Sequence, residues 1–276
     1  MKLVRFTTNS GPHWGSLDGS RIRVAPPSIG SLEENLADLL QLSEILAREP
    51  AGLEISEVQI LTPLISPPQF IGIGLNYRNH AIETGNPIPT APISFGFLQT
   101  SIIGPGDSIV IPPNSSDVDW EAELGIVIGK PGRDISIANA LDHVAGYVIV
   151  NDVSERQVQS SEGQWGRAKS FDSFKPVGPW IVSQSELGDA SDLKISLTVN
   201  GITKQSSSTS ELIFGVSELV SRLSYSTSLM TGSIISTGTP PGVGSSRKPP
   251  EFLKSGDVVE VAIEKIGSLI NPVIKH

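Results

Sequence analysis

Residues 119–130 read DWEAELGIVIGK, and residues 144–152 read VAGYVIVND. Both contain runs of apolar and β-branched residues, a composition typical of buried β-strands. Glu121 and Glu123 precede the apolar part of the first run, and Asp152 ends the second. Side chains two residues apart on a strand point to the same face of a sheet. The two glutamates are therefore expected side by side, next to a segment that has to be buried.

The chain beyond about residue 65 repeats this pattern of short strands between glycine and proline turns. Asn200-Gly201 predicts a hairpin turn. One helix is predicted over residues 211–223, with Ser210 as N-cap. Its apolar stripe consists of Ile213, Val216, Val220 and Leu223. Strands and helices do not alternate, which argues against Rossmann and TIM architectures. The pattern predicts a mixed β-roll or barrel with few helices.

The N-terminal part of the chain predicts a separate, small α+β domain. Two alternating, strand-like segments flank HWGSLDG at 13–19, which is expected to be a turn. Ser31 and Glu34 form a capping-box pattern that begins one helix reaching about residue 47. The apolar stripe expected on that helix is Leu36, Leu39, Leu40 and Leu46. The predicted domains are 1–65 and 66–276.

The composition narrows the classes of function. The 276 residues carry a formal net charge of −9 and include no cysteine. No Lys/Arg cluster occurs, so nucleic-acid binding is not expected, and the acidic balance argues against anionic membranes. Without cysteine there are no disulfides, no thiolate catalysis and no cysteine-ligated metals. No apolar run approaches the ~20 residues of a membrane span, and no signal peptide is expected.

The three carboxylates Glu121, Glu123 and Asp152 form the first candidate site. Two like charges close together repel, and burial opposes their ionisation further, whereas a divalent cation would relieve both effects. An all-oxygen ligand set favours Mg²⁺, Mn²⁺ or Ca²⁺ over zinc. The same residues also fit a simpler interpretation, in which the glutamates lie on an exposed edge strand and Asp152 begins a loop or caps a helix.

A histidine–glutamate pair forms the second candidate site. His80 and Glu83 lie three residues apart within GLNYRNHAIETGNP, and residues at this spacing are neighbours on a helical turn. The carboxylate can orient the imidazole, which is the arrangement needed for a base that activates water. A surface ion pair is the alternative for the same two residues.

Three polar side chains and one turn complete the candidates. Arg156 and Gln159 lie one helical turn apart after Asp152, and Lys169 follows. Arginine suits carboxylate recognition, and lysine can stabilise an oxyanion as a point charge. Residues 236–244 read STGTPPGVG, in which glycines let the backbone approach a ligand. Solvated side chains and an ordinary tight turn are the alternatives.

Seven blocks together resemble the fumarylacetoacetate hydrolase family, and the resemblance spans about residue 66 to the C-terminus. In chain order the blocks are NYRNHAIE, GPGDSIVIP, DWEAELGIVIGK, GYVIVNDVSERQVQ, KSFDSFKPVGPW, ISTGTPPGVG and GDVVEVAIEKIGSLINPV. The first 65 residues are loosely similar to the small N-terminal domain that many members carry. The resemblance implies an α+β, mostly β fold, with a mixed β-roll catalytic domain in a homodimer.

The resemblance also implies a role for individual residues. It implies Mg²⁺ or Mn²⁺, with Ca²⁺ as a further candidate, bound by Glu121, Glu123 and Asp152. It implies three catalytic residues, His80, Glu83 and Lys169. The substrate-binding residues that it implies are Arg78, Arg156, Gln159, Gly238 and Thr239.

The activity implied is hydrolysis of the C–C bond of a 1,3-dicarbonyl acid, such as an acylpyruvate or a fumarylacetoacetate-like compound. It would use a metal-bound enolate and a water activated by His80 and Glu83. The alternatives are an oxaloacetate decarboxylase or tautomerase, a 2-keto-pentenoate hydratase or isomerase, and a ligand-binding protein on an inactive scaffold. The expected partner is a small keto acid or diketone, and the expected location is the cytoplasm.

One departure from the family pattern affects the pocket. Many members carry a lysine in the block before the GPGD turn, and here residues 93–104 have no basic residue, with Phe97 and Gln99 instead. A more apolar pocket is therefore expected, which makes a simple dicarboxylate such as oxaloacetate a less obvious substrate.

Overall fold

The computed structural model describes residues 1–276. Its strands are β1 (Lys2–Thr8), β2 (Gly11–Asp18), β3 (Arg21–Val24), β4 (Ala51–Glu54), β5 (Gln59–Leu61), β6 (Phe70–Gly74), β7 (Ile93–Gly96), β8 (Ile102–Ile103), β9 (Ile109–Ile111), β10 (Val118–Asp119), β11 (Ala122–Ile128), β12 (Val144–Asn151), β13 (Ser154–Glu155), β14 (Lys175–Ser183), β15 (Lys194–Val199), β16 (Ile202–Ser208), β17 (Ile234–Ser236), β18 (Val258–Ile263) and β19 (Gly267–Lys275). The α-helices are α1 (Leu32–Asn35), α2 (Leu39–Leu46), α3 (Arg78–Glu83), α4 (Arg156–Glu162), α5 (Trp165–Ala168), α6 (Gln184–Leu187) and α7 (Val216–Leu223).

A 12-stranded sheet forms the frame, in the order β4-β3-β2-β1-β14-β12-β11-β17-β6-β7, with β5 on β1 and β8 on β14. A second sheet has the order β16-β15-β18-β19-β9, and β10 pairs with β13. The fold is thus α+β and mostly β, as predicted, but the sheets stay open and no closed barrel forms.

Strand β11 lies between β12 and β17 near the middle of the large sheet. Glu121, directly before β11, and Glu123, on it, are both buried, so the alternative of an exposed edge strand is wrong. Alternate residues of β11 and β12 enter two different cores. Leu124 and Ile149 join the core shared with the five-stranded sheet. Val127 and Val148 join the core covered by the leucines of α1 and α2. Burial on both faces explains why these strands read as continuous apolar runs.

The N-terminal meander differs from its prediction in two places. HWGSLDG is not a turn, because most of it belongs to strand β2. The single predicted helix is two short ones, since Asp38 accepts a hydrogen bond from Gln41 N and begins α2 anew. The predicted capping box at Ser31 is present, whereas Leu40 is exposed instead of facing the core. The division of the chain at residue 65 stays a prediction, and β1 pairs directly with β14 across it.

The later elements agree more closely. Strands β15 and β16 form the predicted hairpin, and Asn200 and Gly201 both have positive φ. The predicted helix at 211–223 begins five residues late. Gly215 is the N-cap of α7, and Ser210 lies in a short 3₁₀ turn at residues 209–211. Ser210 is therefore not the helix cap.

The order and direction of the strands bring many functional candidates to one end of the large sheet. The ends of β12, β17 and β6 lie there together with the starts of β11, β7 and β14. Segments far apart in the chain therefore meet at a single rim.

Candidate active site

Three buried carboxylates meet at this rim. Glu121 precedes β11, Glu123 lies on it, and Asp152 follows β12. One oxygen from each lies within 4.8 Å of the others, and each residue is at most 4% exposed. The structure thus brings together the three residues predicted to bind a metal ion.

Glu121 is held between two cations. Arg156 donates to its Oε1 at 2.6 Å, and Lys169 Nζ donates to its Oε2 at 2.7 Å. Burial alone would raise the pKa of Glu121, but Lys169 and Arg156 outweigh it and lower the pKa to about 2. Glu121 is therefore a stable anion at neutral pH.

Glu123 has no such cation. Its Oε2 accepts hydrogen bonds from Ser236 Oγ at 2.5 Å and from Gly238 N at 2.9 Å. Burial, together with the charges of Asp152 and Glu121, raises the pKa of Glu123 well above its usual value. A divalent cation is the group that would let all three carboxylates ionise together.

Asp152 lies between two buried lysines. Lys169 Nζ donates to its Oδ2 at 2.7 Å, and Lys175 Nζ forms an ion pair with Oδ1 at 2.8 Å. Apart from Lys175, this buried Oδ1 has no polar partner, so one of its lone pairs stays available to a metal ion. This atom, and the all-oxygen donor set, fit a hard divalent cation.

Sequence reasoning assigned no role to Lys175. Its side chain is fully buried, and its ammonium donates to the carbonyls of Val153 and Phe174 at 2.9 and 2.8 Å. Burial lowers its pKa to about 8, despite the nearby Asp152. The available signal was a lysine at the start of an apolar strand, within the block that carries Lys169.

Arg156 connects the triad to a fourth carboxylate that sequence analysis also missed. Its Nε donates to Asp119 at 2.8 Å, and a second nitrogen donates to Gln159 Oε1 at 2.8 Å. Asp119 is fully buried and also accepts from the backbone N–H groups of Gly244 and Ser245. Burial would lower the pKa of Arg156, but Asp119 and Glu121 raise it. Glu155, not Asp152, caps the helix that carries Arg156.

The predicted histidine–glutamate pair forms on helix α3. His80 Nδ1 lies 3.2 Å from Glu83 Oε2, and His80 is 7% exposed. The other oxygen of Glu83 accepts from Gly242 N at 2.9 Å. Glu83 thus orients the imidazole and also joins α3 to the glycine-rich turn at residues 236–244.

A cavity of about 560 Å³ opens onto these groups. The predicted site residues that line it are His80, Glu121, Glu123, Asp152, Arg156, Gln159, Lys169 and Thr239. Three others do not line it. Glu83 lies behind His80, Gly238 contributes its N–H to Glu123, and Arg78 is exposed at the start of α3.

Comparison with known proteins identifies the family of the chain. The family model described as fumarylacetoacetate (FAA) hydrolase C-terminal matches residues 69–274. The chain belongs to the fumarylacetoacetate hydrolase family. A second model, described as Rv2993c-like, N-terminal, matches residues 1–63.

Three similar proteins align with almost the full length of this chain. The mitochondrial oxaloacetate tautomerase FAHD2A of Bos taurus is 40% identical, over 99% of this chain and 92% of the relative. The structure of fumarylacetoacetate hydrolase from Exiguobacterium antarcticum has a TM-score of 0.89 at 35% identity and covers 100% of both chains. That of 5-carboxymethyl-2-hydroxymuconate delta-isomerase from Mycobacterium smegmatis has a TM-score of 0.82 at 34% identity, covering 100% of this chain and 99% of that one.

The family block that lacks a lysine here contributes aromatic rings. Phe95 lies under Lys169, with Nζ 5.7 Å from the ring centroid, and Phe97 lies under Lys175 at 4.7 Å. Phe95 lines the cavity, whereas Phe97 is buried behind it. Gln99 is exposed and donates to the carbonyl of Pro67 at 2.8 Å.

None of the helices has both the length and the apolar character needed to span a bilayer.

Proposed function

We propose that this protein is a divalent-metal-dependent hydrolase that cleaves the C–C bond of a 1,3-dicarbonyl acid. The observation that carries the proposal is the His80–Glu83 pair, which places an oriented, largely buried base on the wall of the cavity that also exposes the three carboxylates. A tautomerase or a decarboxylase has no need to activate water, whereas a hydrolase does.

Glu121, Glu123 and Asp152 would bind Mg²⁺ or Mn²⁺, or Ca²⁺ in their place. Such an ion supplies Lewis-acid polarisation of the substrate's oxygens. The protein's contribution is to hold the three carboxylates in place, through Arg156 and Lys169 on one side and the Ser236–Gly238 turn on the other.

His80 and Glu83 perform the proton transfers. With the Nδ1 proton directed at Glu83, Nε2 is the free acceptor and takes a proton from water. The water oxygen bonds to the distal carbonyl carbon, and the bond from that carbon to the central methylene breaks. The electron pair stays with the 2-oxo acid fragment as its enolate, which regains the proton from His80. The products are a carboxylic acid and a 2-oxo acid.

Thr239 and Lys169 are the candidates for stabilising the oxyanion. The hydroxyl oxygen of Thr239 accepts from Gln205 at 2.8 Å, so its own proton is available to the substrate. The three protons of Lys169 are directed at Glu121, Asp152 and Ser154. This favours Thr239 as the direct donor, with Lys169 holding the carboxylates in place.

An oxaloacetate tautomerase is the second candidate, and the 40% identity to a relative of that name supports it. Oxaloacetate decarboxylation, and hydration or isomerisation of a 2-keto-pentenoate, would use the same carboxylates and enolate chemistry. The three buried carboxylates with their buried cations argue against an inactive binding protein, because burying so many charges is costly for folding.

The test is an assay of acetylpyruvate and oxaloacetate side by side, with Mg²⁺ or Mn²⁺ and with EDTA controls. We expect metal-dependent formation of acetate and pyruvate, abolished in His80→Ala while the bound metal content stays unchanged. His143→Ala is the matched control, because that histidine lies outside the cavity. Turnover of oxaloacetate alone, or an unchanged rate in His80→Ala, would contradict the proposal.

A homodimer and a cytoplasmic location stay predictions. Sedimentation of the purified protein tests the first, and a mass of a single 29.3 kDa chain would contradict it.

A further inference from the structure

One wall of the cavity is apolar and closely packed. Trp165 and Phe95 pack edge to face, with centroids 5.7 Å apart, and both line the cavity. The indole lies directly against Gly74, where a Cβ would come within 2.1 Å of Cζ3. Ile73 and Leu75, on either side of that glycine, also line the cavity. Residue 74 therefore has no room for a side chain, because the indole of Trp165 fills the space that such a side chain would take.

The cations that line the cavity are already paired. Arg156 shares its charge between Asp119 and Glu121, and Lys169 between Glu121 and Asp152. Lys175 does not reach the cavity. A substrate with a carboxylate at both ends would therefore find no unpaired lysine or arginine for its second charge, and burying that charge without a partner is costly.

The apolar wall begins beside the charged cluster. Lys169 Nζ lies 5.7 Å from the Phe95 centroid, so the aromatic pair starts one side chain away from the carboxylates. A ligand whose acidic end lies at the triad would extend its other end along Phe95 and Trp165. An alkyl or aryl group gains free energy by leaving water at that wall, whereas a carboxylate loses its hydration there.

We propose that the cavity selects 2-oxo acids with a single carboxylate and an apolar tail, and that Phe95 and Trp165 are the residues that determine this specificity. The inference rests on the proposed function in one respect, namely that the 2-oxo acid end binds at the triad. This substrate class excludes oxaloacetate and other dicarboxylates, which share the acidic end but lack the apolar tail.

The experiment measures binding instead of turnover, because 2-oxo acids without a second carbonyl cannot be hydrolysed. Pyruvate, 2-oxohexanoate, phenylpyruvate and 2-oxoglutarate are titrated by calorimetry into the Mg²⁺-loaded protein. Each buried methylene should tighten binding about fourfold, so the affinity for 2-oxohexanoate should exceed that for pyruvate by a factor on the order of 50. Phenylpyruvate should also bind more tightly than pyruvate, whereas 2-oxoglutarate should not.

Two variants test the assignment of the wall. Trp165→Ala should reduce the advantage of 2-oxohexanoate over pyruvate at least tenfold. Trp165→Lys should reverse the preference in favour of 2-oxoglutarate, by supplying an unpaired cation. Tyr225→Ala is the control, because this aromatic side chain is 77% exposed and lies outside the cavity.

The outcomes distinguish this inference from the proposed function. Tail selectivity without hydrolysis of acetylpyruvate keeps the inference and removes the hydrolase. Hydrolysis combined with tighter binding of 2-oxoglutarate than of 2-oxohexanoate overturns the inference alone. Equal weakening of all four ligands in Trp165→Ala also overturns it. Absence of binding by any 2-oxo acid overturns the inference as well, whereas the acetylpyruvate assay alone decides the hydrolase.

Discussion

Replacing Lys175 with methionine should destabilise the protein strongly, although this residue does not line the cavity. Methionine has a similar length and suits an apolar site, but it removes an ammonium that lies 2.8 Å from Asp152 Oδ1 and donates to two backbone carbonyls. Removing one partner of a buried ion pair costs about 3–5 kcal/mol when the other charge is left without a partner. Asp152 keeps Lys169 as a second partner, so we expect a loss at the lower end, about 3 kcal/mol. That is a large part of a typical folding stability of about 5–15 kcal/mol.

The measurement is urea unfolding of the metal-free protein, followed by circular dichroism. The control is Lys130→Met, at an exposed lysine that makes no ion pair, and it should change stability by less than about 0.5 kcal/mol. The double variant Lys175→Met with Asp152→Asn should recover part of the loss, because it also removes the buried carboxylate, which in Lys175→Met keeps only Lys169 as a cationic partner. If Lys175→Met alone stays within about 0.5 kcal/mol of the parent, Asp152 does not depend on this ammonium and the reasoning fails.

Three further predictions concern the carboxylates and the apolar wall. Glu123→Ala should lose stoichiometric Mg²⁺ or Mn²⁺, since one of three charged ligands is gone, and full metal content by elemental analysis would contradict its assignment. Because the pKa of Glu123 is raised, this carboxyl keeps its proton in the metal-free protein at pH values at which an ordinary carboxyl is ionised, so metal binding should release up to about one proton. The affinity for the metal should therefore increase as pH rises. Calorimetry in buffers of different ionisation enthalpy measures the released proton, and an affinity that does not change with pH would argue against this prediction. Gly74→Ala should displace Trp165 and change the near-ultraviolet circular dichroism. Gly52→Ala is the control and should leave the spectrum unchanged, because residue 52 has open space around it. Identical spectra for Gly74→Ala and the parent would show that the indole does not need Gly74.

The sequence was informative where a local pattern decides the structure. The strands that hold Glu123 and Asp152 are buried on both faces, so their apolar runs were easy to recognise. His80 and Glu83 share one helical turn, and their proximity follows from a spacing of three residues. The Asn200-Gly201 hairpin likewise depends on two adjacent residues.

The errors arose where distant contacts outweigh local preference. Ser210 is a good N-cap by composition, yet the following chain is drawn into contact with Asn76, which bonds to the backbone of Phe214, and the helix begins only after Gly215. The partners of Lys175 and Asp119 lie on other segments that only the sheet order brings near. No spacing along the chain indicates such contacts.

Strand β14 has a consequence for cooperativity. At one end Leu3 of β1 pairs with its Ile181, and at the other end Lys175 contacts Asp152. One continuous strand therefore connects the N-terminal meander to the three buried carboxylates. We expect a single melting transition for the whole chain, and bound metal should raise the melting temperature of the N-terminal meander as much as that of the catalytic rim.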